Sequence, residues 1–351
     1  MGREDTERAV ARTMTSPPLP EPPWSAASSP YPDAERPDPA GSLHAAALYG
    51  SERDLRTWVL GFVMEGLARR EKVVAIVPPR TGEILGAALG SGAMLVQWGL
   101  PGMSYHHLGR AAETLRNFLA AQRAAGEMTR LLTENDLEGG RREPSRLASY
   151  LRSESAADEL YGSQGFPWLC LYDRHRFSAG VLADIERVHP HLLDEKGKPV
   201  LNQNYVTPDT YLAAHPGPVS VVPAEVRLDL ELYDLNDLGD VRRQVAEAAL
   251  ALGLSAADTR LAEVAAGEVI ANAFRHGEPP GRVRIWRDAD AVVVRVDSGG
   301  PGPAVAVSGF SPPDLAAGSG AGLWVARQIA DVVQVETRRD GTTVEMQFPL
   351  P

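Results

Sequence analysis

From His44 to His189 the chain alternates short apolar runs with longer amphipathic ones, and no other feature limits its fold as much. "KVVAIVPP" (72–79) is continuous, β-branched and closed by prolines, as a strand buried on both faces requires. "HAAALYG", "AMLVQW", "MTRLLTE" and "PWLCLYD" read as further strands. Between them lie helical stretches: "SERDLRTWVLGFVMEGLARR", "TGEILGAALG", "LGRAAETLRNFLAAQRAAG", "EPSRLASYLRSESAADELYG" and "SAGVLADIERVHP". Ser51 with Asp54 three residues on gives the first helix a capping-box spacing. Strands alternating with helices demand right-handed crossovers and a mostly parallel sheet. The pattern predicts one N-terminal α/β domain over 43–190.

The flanks differ. Residues 1–42 carry 9 of the 28 prolines together with many serines. Such a segment cannot bury enough apolar surface to offset chain entropy, so a disordered tail is expected. Residues 191–224 are rich in turn formers and are expected to be a linker. A second domain is predicted over 225–351. "VRLDLELYD" alternates like a half-buried strand, and "LGDVRRQVAEAALALG" is an amphipathic helix closed by Gly253. "AADTRLAEVAAGEVIANAFRHG" is a longer helix stopped by Gly277. "GRVRIWRDADAVVVRVDSG" reads as a hairpin, followed by loop, helix, strand, turn and strand. Helices on one face of a mixed sheet give a two-layer α/β sandwich.

Composition excludes several classes. A net charge of −11 argues against direct DNA binding and against an anionic membrane surface. The single cysteine, Cys170, permits no disulfide framework within the chain. No apolar run of about 18 residues exists, and no apolar stretch follows the charged N-terminus. A cytoplasmic protein is expected.

The chemistry concentrates in "GEVIANAFRHG" (267–277). Glu268, Asn272 and His276 are spaced i, i+4, i+8 and so share one helix face. A carboxylate and a carboxamide oxygen on one face suit a hard divalent cation such as Mg²⁺, or either could polarise a nucleophile. Asp297 ends a strand and is followed by Gly299, where backbone allows close approach. Gly318, Gly320 and Gly322 run directly into a helix whose free N–H groups suit phosphate.

The order of these pieces resembles the GHKL (Bergerat) ATP-binding superfamily, and more narrowly the bacterial anti-sigma factor serine kinases. The resemblance implies an ATP–Mg²⁺ site over 225–351. Asn272 would ligate the metal and Glu268 would act as general base. Asp297 would read the adenine amine beside Gly299. Gly318, Gly320 and Gly322 would cover the phosphates, and Thr342 or Thr343 would lie near adenine. The family pattern is Asp-x-Gly-x-Gly, and Pro301 stands where the last glycine belongs. Shifting the frame by one restores Gly300 and Gly302 but puts Ser298 in the aspartate position; the Asp297 frame is preferred because the amine contact carries adenine selectivity. A sensor histidine kinase is rejected, since residues 225–266 hold no histidine. A gyrase-type ATPase would need a transducer domain after this one. A non-catalytic binding module stays open.

"LHAAALYGSERDL", "GLARREKVVAIVPP" and "PWLCLYDRHRFSAGVLADIERVHPHLL" resemble the MEDS sensory domain, which is fused to anti-sigma kinase domains in actinobacteria. The resemblance implies a small-molecule ligand for the N-terminal domain. His44 and Tyr49 are candidate cavity residues. Asp173, His175 and His189 could mimic metal ligands, but an exposed loop is the expected reading, and Cys170 is expected to be an inert core residue. The implied partners are a sigma factor and a STAS-type anti-sigma-factor antagonist, with room for a homodimer. ATP and Mg²⁺ are the implied cofactors, and serine phosphorylation of the antagonist the implied activity.

Overall fold

The computed structural model describes residues 43–103, 108–135, 144–161, 165–300, 309–310, 313 and 321–351. The predicted tail, Pro301, Gly318 and Gly320 lie outside them. The first unit opens with β1 (His44–Tyr49), α1 (Glu52–Ala68), β2 (Lys72–Ile76), α2 (Pro79–Leu89) and β3 (Val96–Trp98). It continues with α3 (Leu108–Ala124), β4 (Thr129–Glu134), α4 (Pro144–Ser155) and α5 (Ala157–Tyr161). β5 (Trp168–Asp173), α6 (Ala179–Arg187), β6 (His191–Leu193), β7 (Pro199–Leu201) and α7 (Pro208–Ala214) complete it.

These strands form one seven-stranded sheet in the order β3-β2-β4-β5-β1-β6-β7. All neighbours run parallel except β6 and β7. Period-two alternation sends Ala45, Ala47, Val73, Ala75, Leu169 and Leu171 to a core under α1 and α2. Ala46, Val74, Leu131, Cys170 and Tyr172 face the other way, under α3, α4 and α6. Ser51 caps α1 by accepting the Asp54 N–H at 3.1 Å.

Three expectations for this half change. β3 begins at Val96, because the glycine-containing "GSGAML" closes as a 3-10 turn with no buried side chain. The helix expected over 143–162 breaks at Ala156. There the Ser155 hydroxyl donates to the Arg152 carbonyl at 2.8 Å and competes with the helical ladder. The segment 191–224 is more than a linker. β6 pairs with β1, and its turn formers close a β6–β7 hairpin.

The second unit comprises β8 (Leu228–Leu232), α8 (Leu238–Ala251), α9 (Ala256–His276), β9 (Glu278–Asp288) and β10 (Ala291–Gly299). α10 (Ala321–Ile329), β11 (Val332–Arg338) and β12 (Gly341–Pro349) follow. Its sheet, β11-β12-β10-β9-β8, is antiparallel throughout rather than mixed. α8 and α9 pack as a pair, so the chain returns to the end of the sheet it left and β9 runs against β8. Val283, Ile285, Val292, Val294, Val296, Val344, Met346 and Phe348 make the core beneath the helices.

The opposite face of this sheet is polar yet buried. Arg295 and Glu345 pair there at 2.5 Å, and Ser220 donates to Glu345 Oε1 at 2.6 Å. Gln334 donates to the Ser145 carbonyl at 3.3 Å, so α4 of the first unit covers the same face. The two units are clamped by a buried ion pair, Arg146 Nε to Asp331 Oδ2 at 3.0 Å. Asp331 Oδ1 also accepts the Leu108 N–H at 3.4 Å. Beside it α3 meets α10 backbone to backbone: a Cβ on Gly109 would fall 1.5 Å from the Arg327 carbonyl oxygen.

Asp331→Ala leaves Arg146 buried without its carboxylate, which typically costs about 3–5 kcal/mol. Denaturant unfolding should show a lowered midpoint, with the two units melting separately. A single transition at the parent midpoint would rule out the clamp.

Candidate functional site

α9 supplies Glu268 and Asn272 from its C-terminal half. Ser255 caps its start, accepting the Asp258 N–H at 3.1 Å, and Gly277 closes it. Ala262, Ala265, Ala266, Val269 and Ile270 bury the opposite stripe. Glu268 and Asn272 are half-buried, whereas His276 is exposed in the last turn. The Asn272 carboxamide oxygen accepts from Arg275 Nη1 at 3.1 Å.

Gly322 opens α10 directly against this stripe. A Cβ there would lie 2.2 Å from Asn272 Nδ2 and 2.9 Å from the Glu268 carbonyl oxygen. Only glycine lets the helix start this close to the carboxamide. At the other side of α9, a Cβ on Gly277 would meet the Ser298 hydroxyl at 2.9 Å and the Gly299 carbonyl at 2.8 Å. Gly299 sits opposite both Glu278 and Gly341, at a register shift in β9–β10 pairing. The start of α10 thus packs on the Glu268–Asn272 stretch of α9, and Ser298 and Gly299 pack at the C-terminal end of the same helix.

Asp297 and Thr343 lie on the other face of the sheet. Val292, Val294 and Val296 point to the helices, so Asp297 points to the far face in phase with Arg295. There Thr343 donates to Asp297 Oδ1 at 2.6 Å and Arg284 pairs with Oδ2 at 2.6 Å. Thr342, in phase with Val344 and Met346, faces the helices opposite Ser298. Ser298, rather than Asp297, is the residue at this strand end in phase with the valines that face the helices. Gly300 has φ 79°, a conformation glycine adopts without strain. The two-residue step from Arg295 to Asp297 was a legible signal for this.

Residues 43–190 match the family model of MEDS, the MEthanogen/methylotroph, DcmR Sensory domain, and residues 233–348 that of the Histidine kinase-like ATPase domain. The chain joins a sensory domain to a histidine-kinase-like ATPase domain. No curated protein matches it. ATPase domains of this type take ATP and Mg²⁺. Asn272 carries a carboxamide oxygen of the kind Mg²⁺ takes, and Gly322 packs the first turn of α10 against its amide nitrogen. No helix of the described residues is long and apolar enough to cross a membrane.

In the MEDS domain, Tyr49 donates to Glu134 Oε1 at 2.7 Å. Asp173 and His175 share a turn, the His175 N–H donating to Asp173 Oδ1 at 3.0 Å. His189 is not on an exposed loop. It is fully buried beside His44 because α6 ends beneath the sheet. A cavity of about 100 Å³ opens between the two domains. Leu115, Tyr161 and Trp168 wall it from the MEDS side, and Phe310, Arg327 and Asp331 from the ATPase side. The Arg327 guanidinium lies over the Phe310 ring at 3.9 Å. Burial, and then the nearby Arg152 charge, pushes Arg327 down to about 9, which leaves it cationic at neutral pH.

A neutral hydroxyl in place of a carboxylate weakens adenine readout, since charge-assisted hydrogen bonds are about twice as strong. Ser298→Asp should tighten ATP binding by roughly five- to tenfold, about 1 kcal/mol, in calorimetric titration. Asp297→Asn should leave it nearly unchanged; a loss there as large as that of Asn272→Ala would restore the Asp297 frame.

Proposed function

We propose that this chain is a cytoplasmic, signal-responsive anti-sigma regulator of the kind found in actinobacteria. The ATPase domain sequesters a sigma factor and phosphorylates a serine on a STAS-type antagonist. The observation that carries this reading is the packing of the α10 start, at Gly322, on the Asn272 carboxamide and the Glu268 backbone. ATP–Mg²⁺ supplies the transferable phosphoryl group when bound. Asn272 would hold the metal through its carboxamide oxygen. Glu268 accepts the proton from the serine hydroxyl, and the α10 start faces the phosphates with its free N–H groups. Most of the rate in such transfers comes from positioning and charge neutralisation.

The interdomain cavity supports a sensory input. Its apolar wall and Arg327 suit a small organic molecule with an anionic or strongly polar end. Arg327 lies on α10, the helix that opens against Asn272. A ligand in the cavity therefore bears on the element that faces the phosphates.

A second reading is a non-catalytic sensor-adaptor in which nucleotide only stabilises a partner-binding shape. Ser298 in the aspartate position favours it, because adenine is then held by a neutral contact. Capture from cell extract with and without ATP–Mg²⁺, followed by phosphosite mapping, separates the two. Glu268→Gln should reduce phosphate transfer by about 10²–10⁴-fold while partner capture persists. Undiminished transfer in Glu268→Gln would remove the base from the mechanism, and capture with no phosphosite in the parent protein would select the adaptor.

A further inference from the structure

Four side chains of three chemical kinds meet inside the MEDS domain. His44 opens β1, Glu154 lies near the end of α4, Cys170 is in the middle of β5, and His189 follows α6. All four are at most 7% exposed. One ligand atom from each lies within 4.8 Å of the other three. Cys170 Sγ is 3.6 Å from His44 Nε2, which is 3.6 Å from Glu154 Oε1. His189 Nε2 is 3.1 Å from the same oxygen. A tetrahedral ion with bonds of about 2.0–2.3 Å would require edges of roughly 3.3–3.8 Å between these atoms.

The outer contacts orient each group inward. His189 Nδ1 is 2.7 Å from the Ile185 carbonyl oxygen, which can only accept, so this nitrogen carries the proton. His44 Nδ1 faces Asp158 Oδ1 at 3.3 Å. Both imidazoles thus turn Nε2 to the centre, each backed by an oxygen, as metal-bound histidines are. Thr133 accepts from Trp168 Nε1 at 2.7 Å and donates its own proton to Cys170 Sγ at 3.3 Å. A sulfur so placed is an acceptor.

This geometry has a consequence for charge. His189 Nε2 stands 3.1 Å from Glu154 Oε1, and the Tyr172 hydroxyl donates to the same oxygen at 3.1 Å. One divalent ion satisfies all four atoms and balances a thiolate and a carboxylate.

We propose that His44, Glu154, Cys170 and His189 bind one borderline-soft divalent transition ion of the Zn²⁺ class. Mixed imidazole and thiolate ligands select such ions over Mg²⁺ or Ca²⁺. The ion ties α4 to β1 and β5, and α4 carries Arg146, the residue that clamps Asp331 of the ATPase domain. Glu154 also borders the interdomain cavity, so the site stands next to the sensory space.

The test uses the full-length chain without an affinity tag, stripped with chelator and titrated with ZnCl₂ and CoCl₂. One equivalent of Zn²⁺ should bind and raise the unfolding temperature. The cobalt form should show intense tetrahedral visible bands and a thiolate-to-cobalt charge-transfer band. Cys170→Ser should abolish that band, and Thr133→Val, which keeps every ligand, should weaken binding by about 10–100-fold. Absence of stoichiometric binding in the folded parent chain would overturn the proposal and leave protons holding the cluster. So would a cobalt spectrum unchanged in Cys170→Ser. If that variant does not fold, the charge-transfer band of the parent decides alone.

Discussion

The contact between α3 and α10 governs the rest of the architecture. Gly109 brings the start of α3 onto the Arg327 carbonyl, and the Arg146–Asp331 pair locks the arrangement from the side. A buried ion pair adds little net stability over an apolar contact of the same size, but it penalises every arrangement that separates the partners. The two domains accordingly meet in one geometry. That geometry buries the polar face of the second sheet and encloses the interdomain cavity.

Burial of that face explains why β10 is apolar on both sides from Ala291 to Val296 except at Arg295. In an antiparallel sheet with one open face, polar residues would mark the outward positions. Here α4 and the segment around Ser220 cover them, and Arg295 finds Glu345 in place of water. The same phase carries Asp297 away from the helices and into a pair with Arg284. Asp297 is engaged on the sheet's far face by Arg284 and Thr343, and Ser298 turns toward the helices.

Coupling between the domains has a physical route. The cavity touches Arg327 and Asp331 on one side and Glu154 and Trp168 on the other. α10 links Arg327 to Gly322, and Gly322 lies against Asn272. A shift of one helix would be felt at both the cavity and the carboxamide, because neither the Gly109 nor the Gly322 contact leaves room for a side chain.

Local chemistry fixed by the sequence includes the alternation that makes the first sheet parallel, the Ser51 and Ser255 caps, and the i, i+4 spacing of Glu268 and Asn272. These follow from periods and hydrogen bonds that span a few residues. The β6–β7 hairpin was hidden because short edge strands carry too few apolar residues to show a period. Which face Asp297 takes was half-visible, in the step from Arg295. Only the tertiary structure decided that His44, Glu154, Cys170 and His189 share one point. They come from four elements whose distances along the chain say nothing about their distance in space, and parallel β1–β5 pairing is what closes that gap.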